Sequence, residues 1–377
     1  MIDKISFKNY KIFKEKQTLE LKPITVLIGK NNTGKSAILK LPVLVSEGLK
    51  GVPFNSNYKI DGDSENTIEL GTDIQDLVYN RNEAGALEFE ISNQSEFIEI
   101  AYNKQYGALL YKRNEIEEDT SSKKINGFLV DGKKISELEF DIDYIEGIRV
   151  EPDSHYNFFN NNFKLIGVKG QNTYQILIED FKSDERLVKE VSDWYKNNFE
   201  NWELEIIESK LETETNYTIA IKNSKLNAIN IKQAGQGIHQ VLPIITRSFM
   251  NVVKPTLIVI EEPETHLHPA AHGNLAQRFV ESYFQDKKKN YLIETHSKNF
   301  ILRLQALVAD PNFNFSNNDI AVYYVDYIES EQVSNLKRLK IDESGEFEEW
   351  PEEIFNESYR ELLLLKQNQS KKDDSND

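Results

Sequence analysis

Apolar and polar positions alternate through Ile5, Phe7, Tyr10 and Phe13, then through Leu19 and Leu21, so the start of the chain predicts a β-hairpin. Ile24-Thr25-Val26-Leu27-Ile28 has a different pattern, an unbroken β-branched run expected of a strand covered on both faces. A glycine-containing loop follows, then a helical stretch from Lys35 to about Val45, in which Pro42 is placed to kink the helix or end it early. Leu87 to Ile91 and Phe97 to Tyr102 alternate as antiparallel strands with one wet face, and the polar stretch Asn114 to Lys124 predicts an exposed hairpin tip. Residues 172–200 predict helix, with a start near Ser183-Asp184-Glu185. The stripe Leu187, Val188, Val191, Trp194 and Tyr195 that follows reads as packing rather than a cofactor site. Strands return at Trp202 to Ile207 and Tyr217 to Ile221. From Ala234 the order is helix, strand, helix, strand, with short buried strands at Pro255 to Ile260, Tyr291 to Ile293 and Ala321 to Tyr327.

This order predicts an α/β chain with an antiparallel β part, divided as 1–50, a β-rich 51–150, a helical and strand insertion at 151–233, a second lobe at 234–320 and a C-terminal module at 321–365. Residues 366–377 are polar and charged and predict a disordered tail. Hydrophobic residues make up 39% of the 377 positions, with 17 Tyr and 20 Phe, which excludes a disordered chain. No apolar run is long enough to span a bilayer, and Met1 to Phe7 lacks the basic-then-apolar pattern of a signal peptide, so the expected location is the cytoplasm. Without cysteine there is neither a disulfide nor a thiolate metal site. The net charge of −17 weighs against a surface that grips nucleic-acid backbone throughout, though not against a local basic groove.

Three segments carry chemistry. Gly29-Lys30-Asn31-Asn32-Thr33-Gly34-Lys35-Ser36 fits G-x-x-x-x-G-K-[ST] in full, between a buried strand and a helix that Ala37 continues. Such a loop wraps phosphates with its backbone N–H groups, extends Lys35 to the β- and γ-phosphates of ATP and offers the Ser36 hydroxyl to Mg²⁺. The helix start adds a favourable field for anions. Leu257-Ile258-Val259-Ile260-Glu261-Glu262-Pro263 delivers two carboxylates to the C-terminal end of a strand, where ligands bind in open α/β sheets. One can serve the Mg²⁺ shell, and the other can orient the attacking water. Tyr291-Leu292-Ile293-Glu294-Thr295-His296-Ser297 ends another buried strand on a histidine able to hydrogen-bond a γ-phosphate.

Together these segments resemble the ABC ATPase superfamily, on the branch that includes SMC/RecF-like and OLD-like ATPases. Glu261-Glu262-Pro263-Glu264-Thr265-His266-Leu267-His268-Pro269 is similar to that branch's E-E-P-E-x-x-L-H-P form of the Walker B and D-loop. The resemblance is strong over about 1–50 and 230–310 and looser between. It implies a mixed central sheet, an antiparallel β subdomain and a helical/strand insertion. By the likeness Glu261 is the metal-side acid, Glu262 the catalytic glutamate and His296 the switch histidine, while His266 and His268 belong to the motif rather than to a zinc site. Ala234-Gly235-Gln236-Gly237-Ile238-His239-Gln240 stands where the family's signature segment caps a partner's nucleotide; Gly235 replaces the usual serine, and Gly237 is kept. Gln75 is the candidate Q-loop residue beside the metal. Arg149, after Tyr144 to Ile148, matches a strand-and-Arg element of relatives, as a phosphate or lobe contact or an internal ion pair. Ile341 to Phe347 and Trp350-Pro351 are similar to a short terminal module of some bacterial ATPases.

The resemblance further implies an enzyme that converts ATP to ADP and phosphate as a homodimer or higher oligomer. The sequence lacks the long heptads of an SMC arm and the room after residue 330 for a TOPRIM-like nuclease. The expected role is therefore an ATP-gated dimer acting through a separate effector, a nuclease or toxin, in bacterial anti-phage defence. The alternatives are a RecF-like DNA clamp, which would bring nucleic acid in as a partner, and a nucleotide sensor in which hydrolysis is incidental.

Overall fold

The computed structural model describes residues 1–60, 66–114, 116–121, 123–210, 215–351 and 354–373. The first part contains β1 (Lys4–Lys8), β2 (Gln17–Glu20), β3 (Ile24–Ile28), α1 (Lys35–Leu49), β4 (Asn57–Lys59) and β5 (Thr67–Glu69). Then come β6 (Leu87–Ser92), β7 (Phe97–Asn103), β8 (Gly107–Arg113), β9 (Ile116–Glu117), β10 (Ile125–Asn126), β11 (Leu129–Val130) and β12 (Asp141–Ile145). The middle holds β13 (Tyr156–Asn157), α2 (Thr173–Phe181), α3 (Arg186–Asn198), β14 (Glu203–Lys210), β15 (Thr215–Asn223) and β16 (Leu226–Asn230). The last part runs α4 (Gln236–Phe249), β17 (Thr256–Glu261), α5 (Pro269–Gln285), β18 (Lys289–Glu294), α6 (Lys298–Ala309), β19 (Ile320–Ile328), β20 (Val333–Leu339) and α7 (Glu357–Asp373).

The central sheet has the order β12-β17-β18-β3-β19-β20, parallel from β12 to β19, with β20 antiparallel at the edge. Its strands are apolar at nearly every position because both faces are covered. Ile24, Val26, Ile258, Ile260, Tyr291 and Ile293 point into one core with α2 to α6. Leu27, Leu257, Val259, Leu292 and Tyr323 point into the other with α1 and the antiparallel strands. That second layer is the sheet β2-β1-β6-β7-β8-β9, whose β6 alternates buried and half-buried residues as its sequence predicts. A third antiparallel sheet, β13-β15-β14 with β16 on β15, packs against α3. The mixed central sheet, the antiparallel subdomain and the inserted helices and strands are the fold expected from the sequence.

The structure departs from the sequence pattern at three places. α1 runs through Pro42 to Leu49 instead of stopping near Val45. A proline inside a helix costs about 3 kcal/mol, but Ile38, Leu39, Leu41, Val43, Leu44 and Val45 are all fully buried, each worth roughly 1.5–3 kcal/mol. Helix α7 continues to Asp373, into the stretch expected to be a disordered tail; residues 374–377 lie outside the described residues. The sequence segments also interleave in space. β1 and β2 join the antiparallel sheet, while β12 and β19, from different segments, both enter the central one.

Candidate active site

Strand β3 delivers the phosphate loop. Gly29 lies so close to the Val325 carbonyl of β19 that a Cβ would sit 2.6 Å from it, and Gly34 (φ 100°) would press a Cβ to 2.8 Å from Ile12. Only glycine tolerates both the left-handed backbone and the crowding at Gly34. Asn32 is also left-handed (φ 62°), a conformation asparagine accepts more readily than most residues. Thr33 Oγ1 donates to the Lys30 carbonyl at 2.9 Å. From β20, Ser334 donates its hydroxyl to the Thr33 carbonyl at 2.6 Å and its N–H to the Ile12 carbonyl at 3.1 Å. The far edge of the sheet thus braces the loop. α1 begins at Lys35, with Ala37 half-buried and Asn31, Asn32 and Ser36 exposed beside its amino end. Lys35 is buried, and its ammonium donates to the Gly29 and Lys30 carbonyls at 3.0 and 2.6 Å, 3.5 Å from Glu294 Oε1. Burial pulls its pKa below the ordinary lysine value, and Glu294 opposes that shift.

Strands β17, β18 and β3 end level: Glu261 lies opposite Glu294, and Glu294 opposite Leu27. Both carboxylate oxygens of Glu261 are held by the end of β12, one by the Tyr144 hydroxyl and the other by the Gly147 N–H at 3.2 Å. Glu262 is left-handed (φ 39°), which costs a non-glycine residue about 1–2 kcal/mol. Its N–H donates to the Glu294 carbonyl at 3.0 Å, and its carbonyl accepts from the Thr265 N–H at 3.1 Å. The turn aims its half-exposed carboxylate at the site. Oε2 accepts from Thr265 Oγ1 at 3.0 Å, and Oε1 lies 3.8 Å from His296 Nε2. His296 Nε2 is 3.9 Å from Glu294 Oε1, and the His296 main-chain N–H donates to Glu264 Oε1 at 2.7 Å. Burial lowers the His296 pKa, with Lys35 adding to the effect, so the imidazole is neutral at neutral pH. Burial pushes Glu294 up to about 7, Lys35 opposing and Glu261 and Glu262 adding.

The sequence singled out Lys35, Glu261, Glu262 and His296, and the structure gathers them on neighbouring loops. It adds Glu294, which ends β18 by the same strand-then-acid pattern that flagged Glu261, and Glu264, which ties the acidic turn to His296. Tyr144 lies far from these residues in sequence, and the strand-and-Arg resemblance that covers it points to Arg149 rather than to the tyrosine. Gly235 is the N-cap of α4, exposed with Gln236. Gly237 packs so tightly on the His266 carbonyl that a Cβ would sit 2.5 Å away. Among the described residues neither Gly235 nor Gly237 hydrogen-bonds to the phosphate loop of its own chain. His268 caps α5 by accepting from the Ala270 N–H at 3.3 Å, and His266 is an exposed turn residue. Gln75 lies in a short 3-10 turn at Ile74–Leu77 and lines a cleft with Asp73, Arg81, Glu83 and Lys104; it shares no hydrogen bond with Ser36 or Glu261 among the described residues. Arg149 is buried and donates to the Glu261 and Glu262 carbonyls at 2.8 and 3.3 Å, and burial lowers its pKa to about 10.

The donor set fits Mg²⁺, a hard cation that prefers oxygen. Each Glu261 oxygen accepts one hydrogen bond and keeps a second lone pair. The Ser36 hydroxyl is exposed, and donor atoms of Glu262, Glu294 and His296 lie within 4.8 Å of one another.

A phosphate loop on the first strand of a parallel sheet, acids on the neighbouring strands and an antiparallel lobe make up the fold of an ABC-type P-loop ATPase. The model of the family described as "AAA domain, putative AbiEii toxin, Type IV TA system" matches residues 24–303, most of the chain, and the protein belongs to that family. A second model, "Protein of unknown function (DUF3696)", matches residues 315–365. No curated protein matches the sequence. Among solved structures the chain is similar to an SMC head bound to the C-winged helix domain of ScpA. Identity is 16% and the TM-score 0.54, over 91% of this chain and 98% of that one. It is also similar to the SMC head domain from Thermotoga maritima at 13% identity and TM-score 0.49, over 90% of this chain and 99% of that one. An Smc head with an extended coiled coil, bound to the C-terminal domain of ScpA derived from Pyrococcus furiosus, gives 13% and 0.49 over 90% and 96%. The first of these likenesses supports the fold. No helix among the described residues is long and apolar enough to cross a membrane.

Proposed function

We propose that the chain hydrolyses ATP to ADP and phosphate at this site, and that two copies close on the nucleotide to control a separately encoded partner. The observation that carries the reading is the meeting of Lys35, Glu262, Glu294 and His296 at the level ends of β3, β17 and β18. Backbone N–H groups of Gly29 to Ser36 would wrap the phosphates, and Lys35 would exchange its loop carbonyls for phosphate oxygens. Ser36 and Glu261 would hold Mg²⁺, which neutralises developing charge on the phosphates. Glu262 orients and polarises the attacking water, and neutral His296 hydrogen-bonds the γ-phosphate and registers its loss. Gly235 and Gly237, on an exposed helix start, offer N–H groups to the phosphates of a second copy, which is the reason for proposing a dimer.

The family description places such proteins in a toxin–antitoxin setting, and the partner in this reading is a toxin or nuclease effector in bacterial anti-phage defence. The net charge of −17 disfavours a DNA clamp. The test is light scattering on wild type and Glu262→Gln, with and without Mg-ATP, alongside phosphate release. An ATP-dependent dimer that the variant traps supports the reading. A constant mass with no turnover in either protein overturns it.

A further inference from the structure

Arg149 touches neither nucleotide-binding loop nor catalytic side chain, yet it is 3% exposed. Among the described residues its guanidinium makes no ion pair within 4 Å, and its hydrogen bonds all go to main-chain carbonyls: Gln240 at 3.4 Å, Glu261 at 2.8 Å and Glu262 at 3.3 Å. Its main chain is engaged as well. The Arg149 N–H donates to Gln240 Oε1 at 3.1 Å, and Gln240 Nε2 donates back to the Arg149 carbonyl at 3.0 Å. Gln240 is itself buried and lies near the start of α4. That helix start is the Gly235-Gln236-Gly237 segment, with Gly235 and Gln236 exposed and Gly237 half-buried against the His266 carbonyl. Arg149 and Gln240 therefore connect the first turns of α4 with the left-handed Glu262 peptide, whose half-exposed carboxylate faces the site.

We propose that Arg149 and Gln240 are positioning residues forming a joint that holds the Glu262 peptide in its left-handed turn and ties it to the start of α4. A displacement of that helix start, as when it meets a second copy's phosphates, moves the Glu262 carboxylate of its own site. The two sites of a closed dimer are coupled through this joint. The inference rests on the reading of Glu262 as the residue that orients water.

The experiment uses the full chain with Arg149→Lys, Gln240→Ala and Glu262→Gln. It measures single-turnover phosphate release, affinity for a fluorescent ATP analogue, and hydrogen exchange of the amides at 262–266. Lysine keeps the charge but cannot bridge two carbonyls with a planar fork. The expected result for Arg149→Lys is a rate loss of about tenfold or more, since small misplacements of a catalytic group are expensive in rate. Nucleotide affinity stays within about threefold, and amides 262–266 exchange faster. Gln240→Ala goes the same way, and adding Arg149→Lys to Glu262→Gln lowers the rate no further. The joint is overturned by unchanged exchange at 262–266, or by rate losses that multiply in the double variant. It is equally overturned if affinity and rate fall in step with melting temperature. Wild-type turnover in Glu262→Gln would instead sink the hydrolytic reading, while the exchange measurement still reports on the joint by itself.

Discussion

The central sheet buries charge at both of its ends, and the two ends are built differently. At the start of β18, Lys289 is 1% exposed and donates to the Ser248 carbonyl at 3.0 Å and to Ser282 Oγ at 3.2 Å. Around it Arg247 pairs with Asp143, and Arg278 donates to Ser248 Oγ at 3.1 Å while stacking 3.9 Å from the Phe249 ring. None of these four charged groups leaves a buried polar atom without a partner. At the finish of β18, by contrast, Glu262 and His296 stay partly exposed, Glu262 sits in a strained turn, and Arg149 Nε is buried without a partner. Buried charge by itself therefore does not mark an active site. The distinguishing features are strain, acceptors with spare capacity and a route to solvent, all at the carboxyl end of the strands.

The comparison predicts opposite effects at the two ends. The largest is at the carboxyl end. Glu262→Gln is expected to slow phosphate release by about 100-fold or more while leaving ATP affinity and melting temperature near wild type; a turnover assay with an affinity titration checks it. At the opposite end, Arg247→Ala removes the buried guanidinium that pairs with Asp143 and should cost about 3–5 kcal/mol of stability. Turnover per folded molecule should change less than about twofold, checked by urea unfolding beside the ATPase assay.

A smaller effect concerns pH. Burial pushes Lys289 down to about 7, so between pH 7 and its unfolded pKa near 10.4 the unfolded chain binds more protons than the folded one. Stability from this group then rises with pH, at most about 1.4 kcal/mol per pH unit. The penalty is fully present below pH 7 and lost toward pH 10. Lys289→Met should remove that slope, as read from the wild-type-minus-variant difference in unfolding free energy across the range. The smallest effect expected on turnover is for Tyr144→Phe, which deletes one of the two hydrogen bonds that hold Glu261. Its turnover should fall several-fold and recover partly at higher Mg²⁺, whereas the same magnesium titration leaves Arg247→Ala unchanged.

Much of this was legible in the sequence wherever the signal was local. The strand at Ile24–Ile28, its loop and its helix are contiguous, and the acids of β17 follow four apolar residues. Glu294 was equally visible as an acid closing a buried strand, but the histidine two residues on drew the chemistry. Tyr144, Gly147 and Arg149 could not be placed on Glu261 and Glu262 from pattern alone. More than a hundred positions separate them in sequence, and only the parallel pairing of β12 with β17 brings them together. The extent of α1 was hidden for a related reason. Pro42 signals a break locally, and the burial that overrides it depends on strands far along the chain.

The bracing of the phosphate loop by β19 and β20 has a consequence for inheritance. Residues 24–303 and 315–365 match separate family models, as though two units had been joined. Yet Val325 closes the space over Gly29, and Ser334 holds the carbonyl of Thr33. A recombination event that cut between these stretches would remove the neighbour of β3 and one wall of the loop it carries. The two strands and the loop must therefore be passed on together.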